Sequence, residues 1–165
     1  MSLDLSENAV AVTRRIDAAA TTIFALLCDP ANHVAVDGSG MLRSTPTRPL
    51  SNTGDSFAVE MWNDEMGEYE MTNLVVEFEQ DRLIRWQPTM TRASRPEDRD
   101  GVGNSAKQRW GFQLTPVDET VTDVTETFDC VNSPAWLKDA VKGGERWIEA
   151  MTTTLDKIAA GVEAG

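Results

Sequence analysis

Apolar residues in the last thirty positions recur at steps of three and four: Leu137, Ala140, Val141, Gly144, Trp147, Ile148, Met151, Leu155, Ile158 and Val162. That spacing predicts a long amphipathic helix with one buried face. Ser133 suits its N-cap and Pro134 its first helical position. Gly143-Gly144 within it costs about 1 kcal/mol per glycine relative to alanine, so a bend or a close contact is expected there. Upstream the period changes. Val10, Val12, Arg14 and Ile16 alternate with small or polar residues, as in a strand. Ile23, Phe24, Leu26 and Leu27 cluster at helical spacing. Asp29-Pro30 opens a second short helix that ends near Val36, before Asp37-Gly38-Ser39-Gly40.

Six further strands are expected: Met41 to Thr45, Phe57 to Met61, Glu68 to Glu79, Leu83 to Gln87, Gln108 to Thr115 and Val121 to Cys130. In the third of these, Tyr69, Met71 and Val75 share one parity and Leu74, Val76 and Phe78 the other, so the strand needs a bulge or a strong bend. Thr89 to Ala106 has almost no apolar content and reads as a long connection without structure of its own. Six consecutive strands with hairpin-length links imply an antiparallel sheet, and helices set to one side of it make the class α+β. A long helix laid across such a sheet encloses a pocket if the sheet is concave, and function is expected there.

Composition narrows the classes. The chain has 165 residues, 41% hydrophobic and 25% charged, which is globular composition. One domain is expected over residues 9–165, with 1–8 as a frayed polar tail. A net charge of −12 repels phosphate backbones and anionic lipid headgroups, which argues against nucleic acid and against stable membrane association. Residues 1–8 do not resemble a secretory signal, and no apolar run has transmembrane length. Cys28 and Cys130 give neither a disulfide framework nor a zinc site and fit reduced thiols in a cytoplasmic protein. P-loop, dinucleotide and nucleophile-elbow motifs are missing, so no metal or cofactor is expected. Oligomeric state is not legible.

Several segments together carry a resemblance: Val12 to Pro30 (VTRRIDAAATTIFALLCDP), His33, Asp37 to Gly40, Leu74 to Trp86 (LVVEFEQDRLIRW), Trp110 to Pro116 (WGFQLTP), Val124 to Cys130 (VTETFDC) and the last helix with Trp136. In that order the chain resembles the START-related helix-grip superfamily, also called SRPBCC or polyketide cyclase/dehydrase-like. The resemblance implies a curved seven-stranded antiparallel sheet around the long C-terminal helix, two short helices after the first strand, and a cavity between sheet and helix. Such proteins include lipid and sterol carriers, plant hormone receptors and aromatase/cyclases, so the fold leaves the activity open. Ala18-Ala19-Ala20 stands where the family commonly opens its first helix with proline, and the connection over 89–106 is long for the group.

Alternation places Trp110, Phe112 and Leu114 on the buried face, with Val124, Glu126 and Phe128 on that face of the next strand. Arg14 shares the parity of Val12 and Ile16. The superfamily sets the first and last strands side by side, so Arg14 and Glu126 are expected to meet as a buried ion pair; a lone buried carboxylate is costly. That pair is either structural or a means of orienting a polar group on a ligand. An unpaired Glu126 would be an acid with a raised pKa. Met61, Met71, Ile84, Trp86, Trp110, Phe112, Trp147 and Met151 supply adaptable apolar surface that serves as core or borders a ligand. Tyr69 is the sole tyrosine and a second proton-bearing candidate, and His33, the sole histidine, reads as a loop anchor.

The leading expectation is a binding or transport protein for a small hydrophobic molecule, such as a lipid, isoprenoid or aromatic polyketide. A polyketide cyclase or dehydratase using Glu126 or Tyr69 is the second, since such enzymes rely largely on positioning. A ligand-free interaction domain with a filled interior is the third.

Overall fold

The structure, a computed structural model, describes residues 1–45 and 48–163. Its strands are β1 (Ser2–Ser6), β2 (Ala9–Ile16), β3 (Leu42–Ser44), β4 (Ser56–Asn63), β5 (Gly67–Glu79), β6 (Leu83–Ala93), β7 (Arg109–Pro116) and β8 (Thr122–Asp129). All eight join one antiparallel sheet in the order β1-β2-β8-β7-β6-β5-β4-β3. Helices α1 (Ala20–Leu27) and α2 (His33–Val36) follow β2, while α3 (Ala135–Ala140) and α4 (Ile148–Glu163) follow β8. The class is α+β, as expected, with eight strands among the described residues instead of seven.

The additional strand lies in the segment expected to fray. Glu7-Asn8 makes a tight hairpin turn, with Asn8 in the left-handed region at φ 65° that asparagine tolerates, and Ser6 pairs with Ala9. Every residue of β1 is exposed. Its stability comes from backbone pairing with β2, so it leaves no buried apolar face for a sequence pattern to reveal.

Two bulges answer the mixed parity of β5. Val75 pairs with Trp86 and Glu77 with Arg85, so Val76 is an extra residue. Phe78 thereby returns to the inner face, where its ring meets Phe24 of α1 at 5.5 Å. A second shift lies between Glu70 and Met71, where Thr91 is the extra residue on β6. The connection expected over 89–106 is accordingly shorter. Thr89 to Ala93 continue β6, and Pro96–Gly101 form a 3-10 turn. Polar residues face outward on β6, so the strand continues where apolar content stops.

The C-terminal helix is broken. A 3-10 segment, Lys142–Trp147, separates α3 from α4, and Gly143 and Gly144 adopt φ 66° and 107°. A Cβ at Gly144 would lie 2.9 Å from Phe128 Cδ1 and 3.2 Å from Val10 Cγ1. The glycine pair thus provides both the bend and the close contact. Pro134, not Ser133, is the N-cap of α3, and no side chain caps it; the Ser133 hydroxyl is buried without a partner among the described residues. At the other short helices the expectation holds: Asp29 Oδ1 accepts from Ala31 N at 3.1 Å, with Pro30 first in the turn.

α4 places Met151, Leu155 and Ile158, each 1% exposed or less, against the inner face of the sheet. Burying each contributes about 1.5–3 kcal/mol. Gly144→Ala should lower unfolding stability by at least about 2 kcal/mol, from left-handed strain and overpacking. Gly161→Ala, in α4 with nothing within 4 Å of the new Cβ, should raise it by about 0.5–1 kcal/mol. Urea melts of the two variants check this pair.

Candidate functional site

The registers lay out the inner face as rows. Val10, Phe128, Trp110, Trp86 and Val75 form one row across five strands. Val12, Glu126, Phe112, Ile84 and Phe78 form the next. Arg14, Val124 and Leu114 begin a third. Glu126 therefore sits near the middle of an otherwise apolar surface. Val12 and Phe112 lie beside it, and Val124 and Phe128 lie before and after it on its own strand.

Glu126 is 6% exposed, and its carboxyl Oε1 is buried with no hydrogen-bond partner among the described residues. Burial, and secondarily the negative charge of Asp37, holds its pKa well above the ordinary carboxyl value. A neutral acid at this point is a hydrogen-bond donor. The expected ion pair does not form. Val12, not Arg14, stands opposite Glu126, and Arg14 stands opposite Val124. The Arg14 guanidinium runs instead to the side of α4, with Nε 3.5 Å from Asp156 Oδ1 and Nη1 donating to the Leu155 carbonyl at 3.5 Å. A long side chain beside a helix can carry its charge towards water, so Arg14 leaves Glu126 alone.

The apolar candidates divide by burial. Ile84, Phe112 and Met151 are core, at 0%, 5% and 1% exposure. Met61, Met71, Trp86, Trp110 and Trp147 pack against that core and remain partly exposed. Trp86 stacks on His33 at 5.6 Å between centroids and meets Phe57 edge-on at 5.6 Å. Trp110 meets Phe128 at 4.7 Å and Trp147 at 5.8 Å. The indole N–H of Trp147 is buried with no acceptor among the described residues. Two aromatic groups thus lie on the same face as Glu126.

Tyr69 is buried, and its hydroxyl accepts a 3.4 Å hydrogen bond from Asn63 Nδ2. Burial raises its pKa, the Asn63 bond opposes the rise and Asp37 adds to it. His33 donates from Nε2 to the Leu27 carbonyl at 2.7 Å and ties α2 to α1. Burial lowers its pKa, against the effect of that bond and of Asp29 and Asp37. Cys28 and Cys130 are free and buried, with the Cys28 thiol pushed up to about 12, chiefly by burial.

Two functional-site residues, Asn73 and Asp37, and one property of a third, Trp147, are not legible in the sequence. Asn73 is 6% exposed on β5, opposite the inward Phe57. Its parity with Met71 and Val75 was the available signal, but a polar residue in an alternating run reads as outward. Asp37 was read as a turn residue, and it is one: it accepts from Ser39 N, Ser39 Oγ and Leu42 N. Its charge also reaches Glu126 and Tyr69. Trp147 was selected for its surface, whereas its unpartnered N–H is a property of the tertiary environment.

Two concavities open on the outside of the domain. One, of about 550 Å³, lies between the β1–β2 turn and the α3 region and includes Leu5, Asn8, Lys138, Lys142 and Gly143. The other, of about 170 Å³, includes Glu77, Arg82, Arg85 and Gln113. Neither is lined by Glu126 or the tryptophans. Among the described residues no helix is long and apolar enough to cross a membrane.

No family model matches the chain. Over 163 residues, 98% of its length, it is 29% identical to the uncharacterized protein Rv0088 of Mycobacterium tuberculosis. The uncharacterized protein MT0096 from a second strain of that organism is 28% identical over the same length. The chain spans 62% of the length of these curated relatives. Among solved structures it is similar to protein Ms6760 from Mycobacterium smegmatis, with a TM-score of 0.70 at 17% identity, covering 99% of this chain and 98% of that one. Protein CV1439 from Chromobacterium violaceum is similar with a TM-score of 0.66 at 15% identity, covering 94% and 97%. At such identities the likeness is one of fold.

Glu126 and His33 give stability opposite dependences on pH. The folded state holds the Glu126 proton more tightly than the unfolded chain, so its contribution is full below the ordinary value of 4.5 and is lost as pH rises. Glu126→Gln should therefore be more stable than the parent by about 1–3 kcal/mol at neutral pH, with the gain shrinking towards pH 4.5. His33 behaves in reverse: below its ordinary value of 6.5 the unfolded chain takes up a proton that the fold resists, and stability falls. His33→Gln should lack that acid-side fall. Denaturant melts across a pH series separate the two slopes.

Proposed function

We propose that the protein binds a small, mainly apolar molecule on the inner face of the sheet beneath α4, as a helix-grip carrier or receptor. Glu126 carries this reading: a buried carboxyl oxygen without a partner, near the centre of an apolar surface. An orphaned buried polar atom costs about 1–3 kcal/mol, a cost that a ligand hydroxyl or carbonyl would offset. The partly exposed Met61, Met71, Trp86 and Trp110 support the reading, since adaptable side chains that still reach solvent can part for a ligand.

A ligand-free interaction domain is the second reading. It is favoured by the near-complete burial of Ile84, Met151, Leu155 and Ile158 and by concavities that lie elsewhere. The exposure of a large apolar side chain at Trp136, 65% exposed, also fits it.

Native mass spectrometry of freshly purified protein, with organic extraction of the same sample, distinguishes these readings. The expected result is an added mass of a few hundred daltons, on the order of one lipid-sized molecule, lost on extraction and weakened in Trp110→Ala. A single unliganded mass, with no thermal shift from any fatty alcohol, isoprenoid or aromatic polyketide tried, would leave the interaction domain.

A further inference from the structure

Resting on the ligand-binding reading, we infer that the site selects an uncharged molecule whose polar group is a carbonyl or hydroxyl, and that it rejects long-chain carboxylates. The geometry of the charged groups carries this. An acidic ligand entering a low-dielectric interior needs a cation to meet it. Among the described residues the inner face offers none that is free. Arg14, on β2, is turned to Asp156 and the Leu155 carbonyl. Lys157 of α4 is exposed and donates to the Asp37 carbonyl at 3.0 Å. His33 spends its Nε2 proton on the Leu27 carbonyl.

What faces the centre has the opposite character. Glu126 is unpaired, Asp37 at the end of α2 acts on it, and the phenol of Tyr69 lies within reach of the same Asp37 charge. A ligand carboxylate beside Glu126 would bury a net negative charge with no cation to meet it, which disfavours the ionised ligand. A neutral carbonyl or hydroxyl meets no such penalty. It accepts the proton that a neutral Glu126 presents, and the unpartnered N–H of Trp147 is a further buried donor on this side of the sheet. The polar end of the ligand is thus an acceptor, and the apolar remainder lies along Trp86, Trp110 and Phe112.

Matched probes of one chain length test the selectivity. Decanol, methyl octyl ketone, decanoate and decylamine are titrated into the full chain at neutral pH, with tryptophan fluorescence as the signal. Decanol and the ketone should bind about tenfold or more tightly than decanoate, equivalent to about 1.4 kcal/mol. Glu126→Ala, which removes the buried donor, should narrow that gap by weakening decanol and ketone binding while decanoate binding stays weak. Decanoate or decylamine binding as tightly as decanol would overturn the selectivity while leaving the ligand-binding reading in place. Binding of none of the four would overturn both.

Discussion

Gly144 has no side chain, and the position of the C-terminal elements depends on that. Phe128 and Val10 approach so closely that even a methyl group would meet them inside normal contact distance. Three successive residues with positive φ, Lys142, Gly143 and Gly144, turn the chain at this contact. Without the turn, a helix beginning at Ala135 would continue straight instead of being redirected over the sheet. With it, α4 seats Met151, Leu155 and Ile158 on the inner face and covers the row that contains Glu126. An antiparallel sheet can leave one face wet, but its apolar face must be covered, and α4 meets that need.

The same covering isolates Glu126. Its strand alternates, and Thr122, Val124, Glu126 and Phe128 all face inward. Once α4 is in place, water no longer reaches the carboxyl freely, and the nearest cation by sequence parity, Arg14, has a better outlet at the helix edge. A buried acid without a partner detracts from folding, so its presence is most simply understood through what it can donate to. The acidic surface has little part in this chemistry. Pairs such as Arg15 with Asp123 are exposed and contribute little to stability.

Much of the architecture was legible because burial imposes periods. Alternation in Val10 to Ile16 and in Trp110 to Leu114 gave the inward faces, and the parity change within β5 located a real bulge at Val76. Asp29-Pro30 marked its turn because capping is a local interaction. Failures occurred where burial is not the organising force. β1 is exposed on both faces, and the far half of β6 presents polar residues. Ser133 satisfies a local capping rule, yet the approach of the chain buries its hydroxyl without a partner and leaves Pro134 at the cap.

The amino-acid order by itself determined the α+β class, the inward side of each core strand, the presence of Glu126 among apolar residues and the weak point at Gly143-Gly144. These follow from periods of two and 3.6 residues and from the backbone freedom of glycine, all of which act over a few positions. Tertiary structure alone decided that Val12 and not Arg14 faces Glu126, that Arg14 goes to Asp156, and that Asp37 lends its charge to Glu126 and Tyr69. Partners of that kind come from distant parts of the chain, and a shift of one residue pair in strand register separates an ion pair from an isolated acid.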